Sequence, residues 1–176
     1  MRKKRAHKVK KSKSYATFES QNVFLMAKLK ISDEWWTAPA EGDNGELILV
    51  TGRRNMDEIM ASKIFNDRIE VTWNYAPQAN GLPDESTSKL MEQVHDALRA
   101  EFDKDPVAIM TGIYTGDGER TLVFYTLNPK YFQNAFNRAL APYPLLPLSI
   151  YAEKDPEWNE YREMLEAEII DSDDEE

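Results

Sequence analysis

The side chains able to do chemistry are few in kind. The sequence has no cysteine and only two histidines, His7 and His95. That removes disulfides, thiolate zinc sites and cysteine nucleophiles together. His95 follows Glu92 at i, i+3, the Glu-x-x-His spacing of carboxylate-bridged di-iron bundles. Such a centre needs a second pair and two more glutamates on facing helices. This chain offers one pair and no four-helix pattern, so no metal or other cofactor is expected. His95 reads as a histidine bordering an apolar stripe, and His7 as a solvated residue in a basic segment. Carboxylates are plentiful, and several have a structural reading: Asp155 and Glu157 as a helix cap and a first-turn acid, Asp117 as a turn residue. An acid/base pair requires surroundings that push two pKa values apart, and spacing does not supply that. Gly112, Gly116 and Gly118 lie between two strand-like runs, with no helix start to receive a phosphate and no Gly-Lys-Ser/Thr. No serine sits in a Gly-x-Ser-x-Gly elbow. None of these residues forms a catalytic set by type and spacing.

The elements that would position any site are easier to read. Val23, Leu25, Ala27, Leu29 and Ile31 alternate, which predicts a strand over Val23–Ile31. Leu47–Val50 predicts a second strand, joined through Glu41–Gly45 with its Asn-Gly pair. Asn55 is a candidate cap for a short helix sharing Ile59, Met60 and Ile64 on one face. From Arg68, Ile69, Val71, Trp73 and Tyr75 alternate with polar residues, a strand with one wet face. Asp84 or Ser86 can cap a helix with Leu90, Met91, Val94, Leu98 and Phe102 on one stripe. Val107–Tyr114 and Thr121–Thr126 flank Asp117-Gly118, the strongest hairpin signal in the chain. Asn128-Pro129 opens a helix with Phe132, Ala135, Phe136, Ala139 and Leu140 at helical spacing. Leu148, Ile150 and Ala152 alternate as a last strand, and Asp155-Pro156 opens a final helix with Trp158, Tyr161, Met164 and Leu165 on one side.

The order from Arg68 is β-α-β-β-α-β and then one more helix. Right-handed crossovers around the central hairpin give an α+β, ferredoxin-like antiparallel sheet, with an N-terminal β-hairpin extension and a C-terminal helix. The expected divisions are a basic disordered tail at 1–18, a strand pair and short helix at 19–67, the ferredoxin-like core with its last helix at 68–167, and an acidic tail at 168–176.

Charge is unevenly spread. Of the 22 Lys and Arg, eight fall in the first thirteen residues, so the remainder carries 14 cations against 31 Asp and Glu, or −17. A body that acidic repels phosphate backbones, and nucleic acid is expected to bind only through the basic head. No apolar run approaches the roughly 18–20 residues of a membrane span, and the basic head has no apolar stretch behind it. A cytoplasmic location is therefore the expectation, with no membrane partner.

Trp35-Trp36, the run Arg68–Tyr75, the run Thr111–Gly118, Phe124-Tyr125 and the run Asp155–Tyr161 together resemble the bacterial domain of unknown function 695, over roughly residues 34–165. The resemblance implies a bacterial origin and a ferredoxin-like layer. In related chains the domain sometimes accompanies one similar to the protein regulator of ribonuclease E, type B. The resemblance carries over no catalytic residues, and the basic head lies outside its pattern.

Trp73, Tyr75, Tyr125, Trp158 and Tyr161 fall within these motifs and are the candidate binding residues. Tyr75 on the first sheet strand and Tyr125 on the hairpin could line an open sheet face, and exposed aromatics on such a sheet are how RNA-recognition modules stack bases. Thr121–Tyr125 lacks the signature of such modules. The better reading is core packing of the rings, or contact with the last helix and the N-terminal hairpin. The sequence thus points to a non-catalytic binding or regulatory domain acting through a protein partner or self-association. Two alternatives stay open: an enzyme using carboxylates or a metal, with Glu92 and His95 as its seed, and an RNA-linked regulator working through the basic tail.

Overall fold

The computed structural model describes residues 25–26 and 28–173, with side chains as far as residue 168. The chain divides after Lys30 into two compact units, and the fold below is that of the second, from Ile31 onward. Its strands are β1 (Trp35–Glu41), β2 (Leu47–Arg53), β3 (Asp67–Asn74), β4 (Ala108–Gly116), β5 (Glu119–Thr126) and β6 (Leu148–Lys154). Its helices are α1 (Asp57–Ala61), α2 (Glu85–Lys104), α3 (Pro129–Leu140) and α4 (Asn159–Asp173). The strands form one open sheet in the order β1-β2-β4-β5-β3-β6, and every neighbouring pair is antiparallel. The last four strands in that order are the ferredoxin-like arrangement, and the β1–β2 hairpin extends it beside β4. Among the described residues, no helix is long and apolar enough to cross a membrane.

Local chemistry explains most boundaries. Asp84 accepts from the Thr87 amide at 2.8 Å and starts α2, and Asn128 accepts from the Lys130 amide at 2.8 Å ahead of Pro129. Asp117 and Gly118 both have positive φ (48° and 80°), the backbone of a tight hairpin turn whose twist matches its strands. Ile69, Val71 and Trp73 then point to one face with Ala108, Met110, Leu122 and Phe124, and α2 and α3 close over them. Phe102, Phe124 and Phe132 form the centre of that core, with ring centroids 5.0–5.6 Å apart.

A second core lies on the other face, under α4. Gly112 belongs to that face, and a Cβ there would lie 2.3 Å from the Met164 sulfur, so its lack of a side chain lets α4 approach. A bulge between Met110 and Gly112 makes this possible. Before it, Ala108 and Met110 face α2 and α3; after it, the parity switches and Ile113 and Thr115 take over that side.

Three expectations need correction. Over the described residues, Val23–Ile31 is not a strand: Leu25 and Met26 are helical, and no strand precedes Trp35. The outer strand of the hairpin is Trp35–Glu41. In the earlier stretch Phe24 and Met26 are as apolar as their neighbours, so its alternation has no polar phase, whereas Pro39 disguises the real strand. Pro39 is tolerated there because β1 is an edge strand. Asn55 does not cap α1. Its φ of 62° is left-handed, the capping position is occupied by Met56 without a side-chain bond, and the Asn55 amide donates to Glu34 at 3.1 Å. At the other end, the α4 backbone continues to Asp173, into the stretch expected as an acidic tail.

Candidate functional site

Two helices packed about 10 Å apart cover roughly four strands spaced at about 4.8 Å, so a six-stranded sheet leaves strands uncovered. Here α2 and α3 sit over β4, β5 and β3, and α4 sits behind β1, β2 and β4. Among the described residues the α2 side of β1 and β2 is left open and forms a cleft of about 340 Å³. Its floor is Thr37, Leu49, Thr51, Ile113 and Thr115; Glu92, His95 and Arg99 of α2 line its lip, and Trp35, Trp73 and Arg120 are also in its wall. The bulge in β4 is what aims Ile113 and Thr115 into it.

The lining is largely apolar, and its polar groups are mostly engaged. The Thr37 and Thr51 hydroxyls bond each other at 2.9 Å. Arg99 pairs with Asp33 at 2.5 Å and lies 3.9 Å from Asp103. Arg120 differs. Its Nε donates to the Thr115 hydroxyl at 2.9 Å, and among the described residues it has no ion pair. Burial pushes its pKa down, only partly offset by Tyr75 and Glu92. The cleft therefore holds a partly buried guanidinium.

The opposite face carries the densest polar and aromatic packing. Tyr125 stacks on Trp158 with centroids 3.9 Å apart, and Tyr161 meets Trp158 edge-on at 5.7 Å. Trp158 Nε1 donates to the Phe65 carbonyl at 2.9 Å, and the Tyr161 hydroxyl to the Arg53 carbonyl at 2.6 Å. Asp155 accepts from the Tyr125 hydroxyl at 2.6 Å and from the amides of Asn159 and Glu160 at 2.9 and 3.1 Å. Burial alone would raise its pKa, but those three bonds outweigh it and hold the carboxyl below the usual range. Glu160 is pushed the other way: burial, with Glu70 and Asp155 nearby, raises it despite a 2.6 Å bond from the Tyr114 hydroxyl. The two carboxyls thus diverge, yet each has a structural partner, and Asp155 caps the start of α4.

The five candidate binding residues fall on both sides of the sheet. Trp73 is buried in the α2/α3 core and also lines the cleft, while Tyr75 packs half-buried beside that core and donates to the Gly81 carbonyl at 2.9 Å. Tyr125, Trp158 and Tyr161 are buried together under α4. The structure does not bring the five onto one surface. It does bring Glu92 and His95 to the lip of the cleft, but among the described residues no three His, Asp or Glu side chains are grouped to hold a metal. The basic tail lies outside the described residues.

The sheet also has a bare edge. Among the described residues β6 is bonded only to β3, and it is exposed along nearly its whole length. Ile150 and Tyr151 are each more than half exposed, at 52% and 53%, and Leu145 just before the strand is fully so. No charged side chain occurs from Ala139 to Ala152. Bonds from Asp155 N to the Asn66 carbonyl (3.0 Å) and from Asn74 N to the Pro147 carbonyl (3.3 Å) bracket the β3–β6 ladder. Bonded positions alternate, so Ser149, Tyr151 and Glu153 face β3, and Ile150, Ala152 and Lys154 turn their backbone N–H and C=O outward. Sequence reading missed both Arg120, a lone cation at the start of a hairpin strand, and this edge. The uncharged run was the one signal available for the latter.

The fold and site define an open-sheet α+β domain of ferredoxin-like topology, extended by a hairpin, with an apolar cleft and an uncovered strand edge. Residues 34–166 match the Family of unknown function (DUF695), and the chain belongs to that family. No curated protein and no solved structure matches it.

Proposed function

We propose that this protein is a non-catalytic binding or regulatory domain acting through protein contact, and that the contact is edge-to-edge pairing of β6 with a second copy of the chain. The observation that carries the reading is the β6 edge, with Ile150 and Tyr151 exposed and no charge before Glu153. Proteins normally blunt such an edge with lysine, proline or a covering element, because its free N–H and C=O groups template pairing. On β6, Lys154 and Glu153 sit only at the end, bonded to Asp67 (2.8 Å) and Arg68 (2.6 Å) on the neighbouring strand. The body is strongly acidic, which disfavours close approach of two copies elsewhere, whereas this stretch is neutral. β1, the other edge, carries Pro39 and is the poorer template.

A seven-residue strand pairs through a small interface, so the expected affinity is micromolar. Sedimentation velocity of the full chain, from about 1 to 300 µM, is expected to show a monomer–dimer equilibrium. Ile150→Lys places a charge on the exposed edge without touching either core and is expected to leave a folded monomer. A wild-type chain that stays monomeric throughout, or a dimer indifferent to Ile150→Lys, refutes the reading.

A further inference from the structure

We propose that the cleft between α2 and the β1–β2 hairpin binds a small amphipathic carboxylate, its apolar body along the Leu49–Ile113 floor and its carboxylate on Arg120. This is independent of how β6 is used. The cavity, about 340 Å³, is at the small end of ligand sites and holds roughly eleven water-sized volumes, enough for about ten non-hydrogen atoms. Its lining follows the pattern of such sites, mostly apolar with a few convergent polar groups. Of the cations around it, Arg99 is held by Asp33. Arg120 bonds only the Thr115 hydroxyl through Nε, so its terminal nitrogens have no protein acceptor among the described residues. A guanidinium partly withdrawn from water and without an ion pair among the described residues favours an anion, and two parallel N–H groups match a carboxylate.

The net acidity of the body does not oppose this at close range. At physiological salt, exposed charges are screened beyond about 8 Å, while a group inside the cleft feels Arg120 directly. Glu92, also in the lining, is the competing anion, and its position explains why a single-charge ligand fits better than a polyanion. His95 on the lip is 3.5 Å from Asp96, so that carboxylate, not the ligand, is its nearest anion.

Three probes of the full chain separate head from body by titration calorimetry: octanoate, octan-1-ol and acetate. Octanoate is expected to bind about 10- to 100-fold more tightly than octan-1-ol, which has the body without the charge, and acetate is expected not to bind detectably. Arg120→Met should bring octanoate and octan-1-ol to parity, and Glu92→Gln should tighten octanoate. Leu49→Trp, which fills the floor, should abolish binding, whereas Ile150→Lys should leave it unchanged. Octanoate no tighter than octan-1-ol, no octanoate binding, or octanoate binding retained in Leu49→Trp overturns the proposal. If Arg120→Met fails to fold, the three-probe comparison on the unaltered chain still decides.

Discussion

Replacing Trp158 is expected to damage the fold itself, not a docking surface. The ring is 2% exposed, stacks on Tyr125 at 3.9 Å and donates to the Phe65 carbonyl at 2.9 Å. Truncating a fully buried tryptophan to alanine costs about 3–5 kcal/mol. The buried Phe65 carbonyl left unpaired argues for the upper part of that range. With domain stabilities of about 5–15 kcal/mol, Trp158→Ala is expected to lower Tm by about 8–20 °C. A second feature sharpens the test. Trp158 has a φ of 56°, in the left-handed region, where a Cβ costs about 1 kcal/mol and glycine has no such penalty. Trp158→Gly should therefore be more stable than Trp158→Ala by about 1 kcal/mol, the reverse of the usual order. Urea unfolding followed by far-UV circular dichroism is the suitable assay, because the substitution removes a fluorophore. A cost below about 1 kcal/mol for alanine, or alanine outranking glycine, refutes this account of α4 docking.

Two carboxylates beneath α4 should give opposite pH signatures. Glu160 is raised, so the folded state holds its proton more tightly than the unfolded chain, and its contribution to stability falls as pH rises above the ordinary glutamate range. Glu160→Gln should remove that slope and gain about 1 kcal/mol at pH 7, or about 2–4 °C in Tm. A variant less stable than wild type at pH 7 would contradict this. Asp155 is lowered, so its contribution is complete above the ordinary aspartate range and disappears as pH falls through its depressed folded value. Asp155→Ala removes three hydrogen bonds and the cap of α4, and should cost about 2–3 kcal/mol at pH 7 with a flatter acid limb, measured as Tm against pH.

Features set by near neighbours in the chain were legible in the sequence. Asp84, Asn128 and Asp117-Gly118 act within a turn of themselves, so their helix starts and hairpin follow from local chemistry, and the alternation from Ile69 to Trp73 shows which face of β3 is buried. Features set by distant partners were not. The position of β1 depends on pairing Trp35 with Arg53 and Pro39 with Leu49, and no local rule favours a strand containing proline. Alternation identifies an inward side chain without saying what covers it, which is why Trp73 and Trp158, similar in sequence, end in different cores. The cleft arises from a mismatch between two helices and six strands together with the bulge beside Thr111, and neither leaves a mark at Arg120. The Glu92–His95 spacing gave their shared helix face but not the cleft they overlook.

Backbone amide exchange along β6 tests edge pairing most directly. Ile150, Ala152 and Lys154 direct their N–H groups away from β3. In the full chain, exchange at these three should slow as concentration rises through the micromolar range, while Ser149, Tyr151 and Glu153, already bonded to β3, change little. Ile150→Lys should abolish the concentration dependence. Exchange at Ile150, Ala152 and Lys154 that stays fast and independent of concentration would contradict pairing through β6.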